Sequence, residues 1–411
     1  MPHRVIRLRN GLRLLHIPTA SPISHFGILI DAGTRDEPGQ HPGLAHFVEH
    51  TIFKGTEKRN AYRVINRMES VGGDLNASTS KEETDFYASF LSPDYPRAVE
   101  LLADIFFHAK FPQKELEKEK TVIFEEINYY NDSPSELIFD DFESLVFCQH
   151  DMGKNILGTK ESVQKIHRED IMAFTAENYT LENVVLASVG NIATEKLVRL
   201  CEKHFGDGRI KEGTRQRVPF RDYRPQTRNV RKNTSQTNVL TGTLAYDIRH
   251  PKRIPFMLLN NILGGQGQNT RLNMSVREKK GLAYTVESYF NPFSDCGLFS
   301  VYFGCDAHER DHCLHIVMRE IEKLKQNKLG SMQLYYAKKQ YIGQLALAQE
   351  SKLNELLAAG HLALFYDEVG DMNENIQTLE AITAEELCDT ANEIFDFSRF
   401  STLIFDPEEE E

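Results

Sequence analysis

The chain has no C-x-x-C pair, no apolar run approaching the length of a membrane span, and no excess of basic residues. Each absence excludes something. The six cysteines, Cys148, Cys201, Cys296, Cys305, Cys313 and Cys388, stand singly. Neither a disulfide framework nor a cysteine-paired metal or redox motif is expected, and these residues read as buried reduced thiols. A membrane-spanning helix needs about 20 consecutive apolar residues, so no membrane partner is expected. Lys and Arg number 48 against 60 Asp and Glu, a formal net charge of -12 at pH 7. Nucleic-acid binders present a basic field, so nucleic acid is excluded as a partner. The same balance would suit a cavity that prefers basic peptides. Met1-Pro2-His3-Arg4 runs straight into alternating, strand-like sequence, without the apolar stretch of a signal peptide. With the single cysteines, this points to the cytoplasm.

With 411 residues, 40% hydrophobic and 26% charged, the chain is long enough for two or three domains with sizeable cores. Residues 6–9 and 12–17 alternate around Asn10-Gly11, the signal of a tight type I′ hairpin. Residues 26–32 read as a buried strand, 34–40 as a polar loop, and 44–53 and 61–71 as helices. Residues 74–79 and 84–91 read as a second hairpin whose first strand is polar and therefore an edge. Residues 95–108 are apolar at helical spacing, and 113–131 form a long charged helix with Leu116, Val122, Ile123 and Ile127 facing a core. Helices over 135–147 and 168–179 precede a buried strand at 183–192.

Residues 206–233 are rich in Gly, Pro and Arg without apolar period, which marks a linker. Beyond it the chain repeats itself. Residues 310–324 resemble 95–109, and 331–345 answer 113–127. "ITAEELCDTANEIF" at 382–395 matches "IHREDIMAFTAENY" at 166–179, a displacement of 216 positions. The expectation is an α+β fold from an internal duplication: domains at 1–208 and 234–411, a linker at 209–233, and in each domain an antiparallel sheet with helices packed on it.

The two copies differ in chemistry. The first carries His46, Glu49 and His50 as H-x-x-E-H; where the second should have it stands "LGGQGQ" at 263–268. At i, i+3 and i+4 of a helix the three side chains share one face. Two neutral imidazoles suit zinc, and a carboxylate beside them can take a proton from water at the metal. The plainer reading is a solvated helix face. A catalytic zinc needs a third protein ligand, and the helix at 113–131 offers Glu115, Glu117, Glu119, Glu125 and Glu126. Glu119 and Glu126, seven apart, share a face, and Glu125 points about a quarter turn away. His41, followed by Pro-Gly, reads as a loop histidine. The loop at 264–269 lacks the Lys-Ser/Thr of a phosphate cradle.

"GLAHFVEHTIFKGT" and, 76 positions beyond His50, "EKEKTVIFEEI" resemble the pitrilysin group of zinc metallopeptidases, in particular the mitochondrial processing peptidase and its compact bacterial relatives. The resemblance covers nearly the whole chain. It implies Glu126 as third zinc ligand beside His46 and His50, Glu49 as general base, and Glu119 as a support held behind the ligands. It also brings forward Arg277 and Tyr284 of "REKKGLAY", which in relatives bind the substrate at the metal, where a guanidinium and a phenol are good donors for a carbonyl that turns negative. Asn76-Ala77 would hold the peptide by strand addition, and Phe53 resembles an aromatic lining the pocket beside the scissile bond, with core packing as the alternative. The resemblance implies a clamshell that encloses peptides or unfolded segments, a Zn2+ cofactor, and a homodimer, because both motifs sit in one chain. The alternative function is a catalytically silent subunit that binds peptides or organises a complex.

Overall fold

In the computed structural model, which describes residues 3–207, 210–213 and 216–408, contacts divide the chain into two units. The first holds Met1–Ile127, Lys154–Arg217 and Ala346–Glu374; the second holds Asn128–Gly153, Val218–Leu345 and Asn375–Glu411.

The first unit contains β1 (His3–Arg4), β2 (Ile6–Arg7), β3 (Arg13–Pro18), β4 (Ile23–Ile30), β5 (Asp74–Thr79), β6 (Thr84–Leu91) and β7 (Val184–Gly190). All but β1 form one sheet in the order β2-β3-β7-β4-β6-β5. β7 is buried along its whole length because both sheet faces are covered. β5 is an edge whose residues alternate exposed and half-buried. The connection from β2 to β3 is a three-residue loop in place of the expected two-residue turn: Gly11 N–H bonds Leu8 O, Leu8 N–H bonds Leu12 O, and Gly11 takes a φ of 90°. A positive φ at one glycine is what this longer hairpin loop requires.

The second unit is built on β8 (Thr227–Lys232), β9 (Thr237–Ala245), β10 (Ala283–Pro292), β11 (Gly297–Cys305) and β13 (Ser401–Pro407), in the order β10-β11-β9-β13-β8. The remaining strand, β12 (Glu368–Val369), pairs with β1. Read from β8, this sheet repeats the order β3-β7-β4-β6-β5 strand for strand. In each sheet one pair is parallel, β3 with β7 and β8 with β13, and the others are antiparallel. The duplication is therefore written in the topology.

Contiguous halves are not what the contacts define. Lys352–Phe365, from the second copy, is a helix whose Leu356, Ala359, Ala363 and Leu364 pack on Leu15, Leu29, Val185 and Ala187 of the first sheet. A Cβ at Gly360 would come within 2.6 Å of Leu29 Cδ2, so glycine lets this helix press onto the sheet. Its counterpart in the first copy, Pro134–Val146, packs Leu137, Ile138, Phe142 and Leu145 on Leu240, Leu298, Leu403 and Phe405 of the second sheet. The copies have exchanged equivalent helices.

Two further readings change. Within the expected linker at 209–233, Phe220 is buried in the second core and Thr227–Lys232 is β8, a ladder strand with a single apolar residue, Val230; the boundary at 208/209 itself lies outside the described residues. Val122 is exposed, because one residue before the buried Ile123 lies about 100° around the helix. All six cysteines are free; Cys148 is exposed and Cys388 half-buried, the other four buried. Among the described residues no helix is long and apolar enough to cross a membrane.

Candidate metal centre

The H-x-x-E-H string lies on α1 (Leu44–Ile52), which is followed by α2 (Ala61–Glu69), α3 (Tyr95–His108) and α4 (Gln113–Asn131), the last in the first unit as far as Ile127. α1 starts abruptly. Gly43 sits at a φ of 91°, where a Cβ would meet Leu157 O at 2.6 Å. The buried Glu37 carboxylate accepts the N–H groups of Gly43 (3.0 Å) and Ala45 (2.8 Å). These are amide donors that a helix N-terminus leaves unpaired; burial nonetheless pushes the Glu37 carboxyl up to about 8, against these two bonds and the charges of Lys154 and Lys81. Leu44, Ala45, Phe47 and Val48 are buried, which turns His46, Glu49 and His50 together toward one side.

α4 supplies the facing carboxylates. Leu116, Glu119, Lys120, Ile123 and Ile127 form its buried stripe, and Glu126 is half-buried beside it. Glu126 Oε2 lies 3.3 Å from His50 Nε2 and 3.7 Å from His46 Nε2. The three residues bring one ligand atom each within 4.8 Å of one another, the one such group of three or more among the described residues. Two imidazoles and a carboxylate are a donor set that fits zinc. Glu119 approaches from behind, its Oε1 3.0 Å from His50 Nδ1 and its Oε2 2.7 Å from Lys54 Nζ. Glu125 is exposed and stands outside this group.

Electrostatics follow from the crowding. Burial, then the neighbouring His50, pushes the His46 imidazole down to about 4, against the pull of Glu126. Burial also opposes charge on His50, but hydrogen bonds to Glu119 and Glu126 prevail and lift it to about 9. Burial raises the Glu49 carboxyl, with the Thr79 hydroxyl opposing. Glu126 is held below the usual carboxylate range chiefly by its bond to His50. This pocket therefore gathers acidic and basic groups whose proton affinities depend on what lies between them.

Asn76 and Ala77 lie on β5, which packs against α1. They pair with Tyr87 and Phe86 of β6, and among the described residues the other edge of β5 carries no strand. Asn76 Oδ1 accepts the Ala77 N–H at 3.0 Å. Phe53 closes α1 and meets the ring of buried Phe86 at 6.2 Å, so it packs on the core while remaining half-exposed. His41 pairs with Asp170 at 3.3 Å.

Arg277 and Tyr284 belong to the second unit. Arg277 ends a π-helical turn, Asn273–Glu278, and Tyr284 is the extra residue of a β-bulge between Ala283 and Thr285 on edge strand β10. Tyr284 is 78% exposed, and its ring lies 5.1 Å from the Arg277 guanidinium carbon. Both local irregularities are of the kind found where a chain re-aims a side chain.

Three contributors escaped the sequence. Glu37 is an isolated acid in a loop. Lys54 could have been suspected, lying one turn beyond His50. The hydroxyl of Tyr179, which burial and then the Glu49 charge keep protonated and which has no hydrogen-bond partner among the described residues, had no signal at all.

A family model described as insulinase, peptidase family M16, matches residues 14–160, and one described as the peptidase M16 inactive domain matches 165–341. An uncharacterized zinc protease of Bacillus subtilis is 31% identical over 389 residues, 94% of each chain. One from Mycobacterium bovis is 31% identical over 407 residues, covering 97% of this chain and 92% of its own. Among solved structures, a protease from Helicobacter pylori superposes with a TM-score of 0.90 at 22% identity, over 99% of this chain and 100% of its own. The latter likeness speaks to the fold alone.

Proposed function

Since the chain belongs to the insulinase family of peptidases, family M16, we propose that it is a zinc-dependent endopeptidase acting on peptides or unfolded polypeptide segments. One observation carries the reading: His46, His50 and Glu126 converge within 4.8 Å on the helix face that also bears Glu49. These three would hold the ion, which when bound supplies a Lewis acid that polarises a carbonyl and makes water more acidic.

The protein's own groups do the rest. Glu49 takes the proton from the attacking water onto its carboxylate and returns it to the leaving amine. Glu119 fixes the His50 ring so that Nε2 faces the ion. β5 receives the substrate as an added strand through Asn76 and Ala77; backbone pairing is indifferent to sequence and open only to extended chain. The enclosed chamber implied by the family resemblance would confine the enzyme further to such substrates. Phe53 would line the pocket beside the scissile bond. Arg277 and Tyr284 would donate to the carbonyl oxygen as charge develops there. The presence of both motifs in one chain supports a homodimer, and the single free cysteines support a cytoplasmic setting.

The test is cleavage of a mixed pool of unstructured peptides by zinc-loaded protein, beside Glu49→Gln. Cleavage by the wild type, lost in the variant while zinc stays bound, is the expected result. A wild-type chain that holds zinc and cuts nothing would instead identify a silent peptide-binding subunit.

A further inference from the structure

Away from the metal centre, α2 and its approaches gather cations around a concavity of about 380 Å³. Lys58, Arg59, Arg63, Arg67 and Arg97 line it, with the polar Asn66 and Ser70, in a chain whose net charge is -12. Three of the guanidiniums are fixed in place. Arg59 bonds both oxygens of Glu100, at 2.6 and 2.9 Å, and also Asp104. Arg67 reaches the same Glu100 at 3.3 Å, and Arg97 donates to Arg67 O at 2.9 Å and faces Asp94 at 3.5 Å.

The pairing is incomplete in two ways. Five cations meet three carboxylates, and among the described residues Lys58 and Arg63 have no carboxylate partner. Arg63 and Arg67 also stand four apart on α2, where like charges repel. In addition Arg67 Nε is buried and has no hydrogen-bond acceptor among the described residues. A buried donor without an acceptor is destabilising, and the cluster as a whole carries more cations than carboxylates.

We propose that this concavity binds a compact, multivalent phosphate anion. The Arg59 fork is taken by Glu100 and Asp104, but Arg67 and Arg97 are held in place with Nη groups that the carboxylates leave over. Guanidinium N–H groups match phosphate oxygens in geometry as well as charge, and Lys58 and Arg63 at the rim are free to close on them. Among the described residues the cavity wall has no aromatic or aliphatic side chain, so an attached base, sugar or acyl tail would add little. It also has no strand edge, so an acidic peptide would find no backbone to pair with. The ligand is recognised by its phosphates alone.

The experiment is calorimetric titration of the full-length protein at low salt with inorganic tripolyphosphate, ATP and orthophosphate. Saturable one-to-one binding is expected for tripolyphosphate and ATP with similar affinity, and weaker binding for orthophosphate. A Lys58→Ala/Arg63→Ala double variant, altered only at exposed side chains, should bind tripolyphosphate at least tenfold more weakly, with Arg63→Lys in between and an unchanged melting temperature without ligand. Absence of saturable binding would overturn the proposal. So would binding that the double variant retains, binding of ATP but not tripolyphosphate, or tighter binding of an oligoglutamate peptide than of tripolyphosphate.

Discussion

Glu119 Oε1 lies 3.0 Å from His50 Nδ1 while its other oxygen takes a 2.7 Å contact from Lys54 Nζ, so one carboxylate orients a histidine whose remaining nitrogen faces Glu126. The burial of Glu119 resists its ionisation, but these two bonds outweigh that and keep it charged. Orientation of a ligand from behind is worth about 10–100-fold in metal affinity. Glu119→Ala should therefore weaken zinc binding by that factor in competition with a chelator. Glu119→Gln, which keeps an acceptor for the imidazole N–H, should lose less. Wild-type affinity in the alanine variant would reduce Glu119 to a charge on a Lys/Glu-rich helix.

Glu37 holds the start of α1 without touching the metal ligands. Glu37→Ala would leave the Gly43 and Ala45 N–H groups buried and unpaired. At about 1–2 kcal/mol for each, the loss is roughly 2–4 kcal/mol, or a fall in melting temperature on the order of 5–12 °C for a unit of this size. Glu37→Gln, whose amide NH2 replaces one of the two accepting oxygens and so keeps only one of the two bonds, should fall by at least half as much. Thermal unfolding at pH 7 measures both, and a drop below 2 °C for the alanine variant would show that water replaces the carboxylate without cost.

The sequence disclosed what local spacing encodes. His46, Glu49 and His50 were legible because i, i+3 and i+4 fix a shared helix face whatever lies around it. Most helices and the polar edge strand were legible for the same reason. Glu126 was not separable from its four neighbouring glutamates by periodicity, since what singles it out is the distance to α1 across the fold; the family resemblance supplied that. The exchange of Pro134–Val146 with Lys352–Phe365 was invisible, because an amphipathic helix declares that it buries a face and not which sheet receives it. β8 was missed because a ladder strand held mainly by backbone bonds to β13 needs only one apolar residue.

Arg277 and Tyr284 meet ring to guanidinium at 5.1 Å while the tyrosine stays largely exposed. Neither supports a core, so substitution should leave the fold intact. If the Tyr284 hydroxyl donates to the developing oxyanion, Tyr284→Phe should lower kcat by about 100-fold. Arg277→Lys, which keeps the charge but loses the planar fork, should cost about tenfold. Zinc content and melting temperature should match the wild type in both. Steady-state kinetics on one defined peptide decides: a Tyr284→Phe enzyme within twofold of wild type would remove the phenol from the reaction.

Polar ties hold the helix Lys352–Phe365 to the first sheet: Arg13 of β3 donates to Ala363 O at 3.0 Å and Leu364 O at 3.1 Å, and His361 meets two carboxylates. His361 Nε2 lies 2.9 Å from Asp85 Oδ2 and 3.3 Å from Glu83 Oε2. Burial disfavours the imidazolium, yet Asp85 and Glu83 raise it from 6.5 to about 9. Burial raises Glu83 to about 7, helped by Asp85, Asp31 and Glu82 and opposed by His361. A folded-state pKa above the unfolded one stabilises fully below the unfolded value and is lost as pH rises through the folded value. Glu83 therefore loses stability between about 4.5 and 7, and His361 between about 6.5 and 9, with the same sign. The His361 shift alone would be worth about 3 kcal/mol, and partial exposure of the ring cuts this to roughly 1–2 kcal/mol. The wild-type melting temperature should thus fall by about 2–8 °C from pH 6.5 to 9.5, and His361→Gln should flatten that slope while lowering the temperature at pH 6.5. A wild-type curve flat over this range would mean that the histidine is neutral, and that the exchanged helix is held by its apolar face and the Arg13 bonds to its last turn.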